Sequence, residues 1–67
     1  MERVKLLGRE WWVTIRPMID PSKPYWGWCL TYGVSQIRNE QVYIPSEAEA
    51  IADLEAFLKE HGGEVIE

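Results

Sequence analysis

The central stretch of the chain, residues 25–32, reads YWGWCLTY. Successive side chains of an extended strand point to opposite faces, so Trp26, Trp28, Leu30 and Tyr32 share one face, and Gly, Cys and Thr occupy the other. Aromatic residues are enriched in strands. The stretch therefore predicts a strand with one packed face and one face that other groups can approach closely.

Two further strands are predicted before it, at residues 3–7 and 11–16, with a tight turn at 8–10. In the second strand, Trp11, Val13 and Ile15 alternate with Trp12, Thr14 and Arg16. Because the apolar set is needed inside, we expect the set that contains Trp12 and Arg16 to lie on the opposite face. Pro17 removes a backbone donor, so the strand ends there or continues only as an edge.

The loop at residues 20–24 contains two prolines and an aspartate, which are typical of turns. After the central strand, Gly33 allows a bulge or bend, and 34–38 are expected to continue the same strand. Asn39-Glu40 then forms a hairpin tip, and residues 41–44 return as a fourth strand that Pro45 ends.

One helix is predicted over residues 47–61. Ser46 and Glu49 fit a capping box, and Gly62 follows the last turn, where a left-handed residue commonly ends a helix. The apolar residues recur at helical spacing and predict the buried stripe, which comprises Ala50, Ile51, Leu54, Phe57, Leu58 and His61. Val65 and Ile66 either add an edge strand or pack under the helix end.

These elements predict an α+β fold: an antiparallel three- to four-stranded β-meander with one C-terminal α-helix packed on one face. At 67 residues the chain is expected to form a single domain, 1–67. A domain of this size buries only about 60% of the surface that its unfolded chain exposes. One helix covers only one face of the sheet, so the other face is expected to stay open.

The charges are unevenly distributed. Residues 1–45 carry six Lys/Arg and four Asp/Glu, a net charge of +2, whereas residues 46–67 carry one and seven, a net charge of −6. The single cysteine cannot form an intramolecular disulfide, and no long apolar run predicts a signal peptide or a membrane helix. We expect a cytoplasmic protein with no cofactor, no metal site and no membrane partner.

Two surfaces are candidates for binding. The first is an acidic helix stripe of Glu49, Asp53 and Glu60, which is expected opposite the apolar stripe. The alternative is that these carboxylates form a solvated helix face and bind no partner. The second is an aromatic-basic patch on the open sheet face that combines Trp12 and Arg16 with Arg38 and Tyr43. Sheets that bind single strands stack bases on rings and hold phosphates with arginine, and exposed tryptophans also anchor protein interfaces.

An enzyme is the least favoured class. His61 lies near the helix end, far in sequence from Cys29, so the sequence offers no evident pair of base and nucleophile. His61 is better explained as a group that compensates the helix dipole, and Cys29 as a small apolar residue in the sheet.

The leading hypothesis is a small acidic non-enzymatic protein-binding module. The sheet-then-helix order is similar to that of the arm-binding domains of phage integrases. The short acidic chain resembles small phage and mobile-element accessory proteins, among them anti-CRISPR inhibitors, which implies an inhibitor that blocks a partner's nucleic-acid-binding surface. The alternatives are a nucleic-acid-binding domain that uses the open sheet face, and a homodimer that buries a sheet edge or the Trp12 face.

Overall fold

Within the residues that the structure describes, the chain folds as an antiparallel sheet of five strands with one helix on a single face. This computed structural model describes residues 1–18, 25–40 and 43–67. The elements are β1 (Arg3–Leu6), β2 (Arg9–Met18), β3 (Tyr25–Tyr32), β4 (Ser35–Arg38), α1 (Glu47–Glu60) and β5 (Glu64–Val65). The sheet order is β4-β3-β2-β1-β5, so the sheet has more strands than the predicted three- to four-stranded meander. The last strand pairs with β1 after the helix and overlaps the edge strand that was one of the two alternatives for Val65 and Ile66.

Two tight hairpin turns set the register of the meander. Leu6 pairs with Arg9 around a loop of Leu7 and Gly8, both of which have positive φ (55° and 73°), as a type I′ turn requires. Tyr32 pairs with Ser35 around Gly33, whose φ of 58° suits a type II′ turn.

The second hairpin corrects the sequence prediction. Residues 34–38 do not continue β3 but return as β4, so the hairpin tip is not at Asn39-Glu40. The predicted fourth strand at 41–44 begins outside the described residues, and Ile44 forms only an isolated bridge with Trp26. The meander therefore gains its fourth strand earlier in the chain than expected.

Pro17 lies within β2, opposite Trp26. The Val13 amide donates to the Glu2 carbonyl, and donor direction alternates along a strand, so the nitrogens of odd-numbered β2 residues face β1. In the described structure β1 does not extend along β2 as far as Pro17. The missing N–H of Pro17 therefore leaves no β1 carbonyl without a donor. The second form of the prediction, continuation as a local edge, is therefore the observed one.

The helix begins and ends at the predicted signals. Ser46 is the N-cap, and its hydroxyl accepts from the Glu49 amide at 3.2 Å. At the other end Gly62 has φ 73°, and the Gly63 amide donates to the Leu58 carbonyl at 2.7 Å. This bond, which spans five residues, is the 6→1 bond of a Schellman motif.

The core lies between α1 and the facing side of the sheet. Ala50, Leu54 and Leu58 are the buried helix residues, and Phe57 packs partly buried beside them. Their buried neighbours come from the sheet and from the segment that precedes the helix: Val4, Leu6, Trp11, Trp28, Leu30 and Ile44. Contrary to the predicted apolar stripe, His61 is exposed, because it lies beyond the last helical turn, although its ring contacts Phe57 with centroids 4.4 Å apart.

Candidate binding surface

The face of the sheet opposite α1 is called the open face here. Strand register fixes which side chains it carries. Trp12 pairs with Thr31, Arg16 with Gly27 and Arg38 with Cys29, and paired residues project from the same face. The predicted sheet residues Trp12, Arg16 and Arg38 therefore share the open face.

Trp12 is a large apolar side chain of this face, with 61% of its surface exposed. The Arg3 guanidinium lies 5.6 Å from the centre of its ring, within the range of a cation–π contact. Arg3 also pairs with Glu10 at 3.2 Å and with Glu67. The hydrogen bond from Arg3 and its positive charge lower the pKa of Glu67, and the same contact raises the pKa of Arg3. The positive charge of Arg3 is therefore balanced within the fold.

Beside Trp12 the open face forms a cleft of about 330 Å³ that spans β2, β3 and β4. Arg16 lines one side and Arg38 the other, with Gly27 and Cys29 between them. Arg38 donates to the Gln36 amide oxygen at 3.2 Å. The Arg16 guanidinium makes no hydrogen bond or ion pair with any residue that the structure describes. The cleft thus presents two exposed guanidinium groups above a floor of small residues.

Gly27 keeps the floor of the cleft low. The Asn39 side chain lies across it, and its Oδ1 accepts from the Trp28 amide at 3.0 Å. A Cβ atom at position 27 would come within 3.0 Å of that oxygen. Sequence reasoning expected a close approach at this small-residue face but did not identify Asn39 as the approaching group.

Tyr43 lies at the end of the open face, close to the cleft. Its ring meets that of Tyr25 edge-on, with centroids 5.2 Å apart and an interplanar angle of 80°. Tyr25 itself lines the cleft, and Tyr43 is half exposed. The structure therefore brings Tyr43 next to the cleft without making it part of the lining.

The acidic helix stripe is only partly as predicted. Glu49 and Glu60 are exposed, but Asp53 is half-buried, and its Oδ2 accepts from the Trp28 indole nitrogen at 2.7 Å. Asp53 does not lie opposite the apolar stripe. Its position on the helix is at the edge of the core, beside Phe57. The carboxylate of Asp53 joins the helix to the sheet.

The two residues with reactive side-chain chemistry lie on different parts of the fold. His61 caps the end of α1, whereas Cys29 lies on the open face, where its Sγ is 3.8 Å from both the Leu30 carbonyl and the Thr31 hydroxyl. Within residues 1–18, 25–40 and 43–67, no cluster of three or more His, Cys, Asp or Glu side chains is arranged to hold a metal ion.

Comparison with known proteins gives no match to a protein-family model, a curated protein or a solved structure. No helix in the described part of the chain has the length and apolar character needed to cross a membrane.

Proposed function

We propose that this chain is a non-enzymatic protein-binding module that docks through its open face. The observation that carries the proposal is the exposure of Trp12 beside the cleft between Arg16 and Arg38. Tryptophan and arginine are enriched among the residues that dominate binding energy in protein interfaces. The helix covers the other face of the sheet, so a partner can reach this one without disturbing the core.

The acidic helix stripe supports the proposal less well than the open face. One of its three carboxylates, Asp53, is bonded to Trp28, and removal of that carboxylate would disturb the fold. A narrower form of the proposal retains the exposed carboxylates of α1, such as Glu49 and Glu60. In that form the chain is a phage or mobile-element inhibitor of the anti-CRISPR type, with the acidic helix against a partner's basic nucleic-acid-binding surface.

Matched capture experiments test which surface binds. The immobilised chain is compared with two double variants, Trp12→Ala with Arg16→Ala on the open face and Glu49→Lys with Glu60→Lys on the helix. We expect the open-face variant to lose the captured protein and the helix variant to retain it. If the helix variant alone loses the protein, the docking surface is the acidic helix and the narrower form is correct. If both variants retain it, neither surface is the docking site.

Single-stranded nucleic acid is the second candidate, because an exposed tryptophan next to two arginines also suits base stacking and phosphate contact. A titration with dT12 at low salt would quench the fluorescence of Trp12 if a base stacked on it. A matched Trp12→Phe variant shows whether any quenching comes from that ring rather than from the other three tryptophans. Absence of quenching at low salt excludes this candidate.

A further inference from the structure

We propose that the cleft between Arg16 and Arg38 binds carboxylate side chains of an acidic peptide segment. This inference rests on the proposed protein-binding function and specifies the chemistry of the partner. Its basis is that two guanidinium groups from different strands line one cleft, together with the hydroxyls of Thr14 and Thr31.

The register places the two guanidinium groups within reach of one ligand. Arg16 pairs with Gly27 and Arg38 with Cys29, so the two arginines lie two strands apart and are offset by two residues along β3. With strand spacings of about 4.8 Å and a rise of about 3.3 Å per residue, their Cα atoms are roughly 12 Å apart. Arginine side chains from both sides of such a span can converge on carboxylates held in the cleft beside the Asn39 side chain, which covers Gly27. A guanidinium donates two parallel hydrogen bonds to a carboxylate, which makes arginine well suited to this group.

Charge and size favour a peptide over a nucleic acid. The positive charge on the β1 side of the open face is offset, because Arg3 pairs with Glu10 and Glu67 and Lys5 lies opposite Glu64. A nucleic-acid strand needs a series of cations along its phosphates, whereas a peptide needs only one or two carboxylates to meet Arg16 and Arg38. A cleft of about 330 Å³ falls at the lower end of the range for ligand sites and suits one or two side chains.

The test is a titration of the ¹⁵N-labelled protein, followed by NMR, with four probes: a blocked hexaglutamate peptide, the matching hexaglutamine peptide, dT12 and inorganic phosphate. We expect the hexaglutamate peptide to cause saturable shifts at the Gly27 and Cys29 amides and at the Arg16 and Arg38 Nε–H groups. Its binding should weaken as the salt concentration rises. Hexaglutamine should cause none of these shifts. Arg16→Gln and Arg38→Gln should each weaken the binding by about fivefold, the upper end for an ion pair open to solvent.

Cys29 supplies a second measurement in the same cleft. Its thiol should react more slowly with N-ethylmaleimide when hexaglutamate is bound, and the reaction rate of the Arg16→Gln/Arg38→Gln double variant should not change when the peptide is added. The proposal is overturned if hexaglutamate shifts none of these groups, or if dT12 or phosphate saturates the cleft at lower concentration than the peptide. If capture of a protein depends on Trp12 but not on Arg16 or Arg38, the docking function stands and the carboxylate cleft alone is wrong.

Discussion

Replacement of Asp53 by alanine tests whether this residue is structural. The Trp28 indole is 3% exposed, and its N–H donates to the Asp53 carboxylate at 2.7 Å. A buried donor that loses its acceptor costs about 1–3 kcal/mol, and bonds to charged acceptors lie above the average for hydrogen bonds. The better helix propensity of alanine returns about 0.5 kcal/mol. We therefore expect Asp53→Ala to lower the free energy of unfolding by about 1.5 kcal/mol.

This loss would be large for such a short chain. A domain of this length has a free energy of unfolding of roughly 3–10 kcal/mol, and each 1 kcal/mol shifts the midpoint of thermal unfolding by about 4–8 °C. Asp53→Ala should accordingly lower Tm by about 6–12 °C, measured by far-UV circular dichroism, with urea unfolding to give the free energy. Glu55→Ala, an exposed position on the same helix, is the matched control and should change Tm by much less.

A double-mutant cycle separates the hydrogen bond from other effects of the substitution. In a Trp28→Phe background the donor is gone, so Asp53→Ala should be neutral or slightly stabilising. If Asp53→Ala costs the same in both backgrounds, the hydrogen bond is not the source of the loss. A cost in the wild-type background no greater than that of Glu55→Ala would likewise refute the role of Asp53 in joining the helix to the sheet.

Three further predictions concern the turns, the helix cap and the Arg3–Glu67 pair. Leu7 is 77% exposed at φ 55°. Leu7→Asn creates the preferred Asn-Gly turn and should raise the free energy of unfolding, measured with urea, by about 0.5–1 kcal/mol. An unchanged free energy would show that Leu7 is not strained. Ser46→Ala should cost about 1 kcal/mol in the same assay and Ser46→Asp almost nothing, whereas equal losses would mean that the cap bond does not matter. Glu67 has a lowered pKa beside Arg3, so the stability from this pair is present above the ordinary glutamate pKa and is lost as the pH falls through the lowered value. A side-chain NMR titration should therefore give Glu67 a lower pKa in the wild type than in the Arg3→Gln variant, and equal values would show that the pair does not form in solution.

Local signals in the sequence predicted the helix better than the sheet. Ser46, Glu49 and Gly62 mark the helix ends through chemistry confined to one turn each, and the structure confirms these boundaries within a residue. The hairpin at Gly33 was missed because a lone glycine in a strand pattern indicates a bulge as readily as a type II′ turn. The choice depends on which strand packs next to β3, and that information is not local.

The position of Asp53 shows a second kind of limit. Helical spacing groups it with Glu49 and Glu60, and the sequence carries no signal that distinguishes the three. The partner of Asp53 is Trp28, 25 residues away in the sequence, and the contact depends on how the helix crosses the sheet. Alternation within one strand, by contrast, was enough to place Trp12 and Arg16 on the open face correctly.

The open face can change with little effect on the fold, and this separation favours it as the functional surface. The buried apolar residues of the described chain lie on the helix side of the sheet. The open face is instead held in place by the backbone pairing among all five strands. Trp12, Arg16 and Arg38 are all exposed, and substitution of exposed residues away from caps and networks usually changes stability by less than about 0.5 kcal/mol. Alanine variants of Arg16 and Arg38 should therefore keep the wild-type Tm within a few degrees, so any loss of binding in them can be assigned to the surface itself. Trp12 contacts the paired Arg3 and is replaced by phenylalanine instead. A large drop in Tm for Arg16→Ala or Arg38→Ala would instead show that the cleft is part of the scaffold, and the case for a docking face would then rest on Trp12 alone.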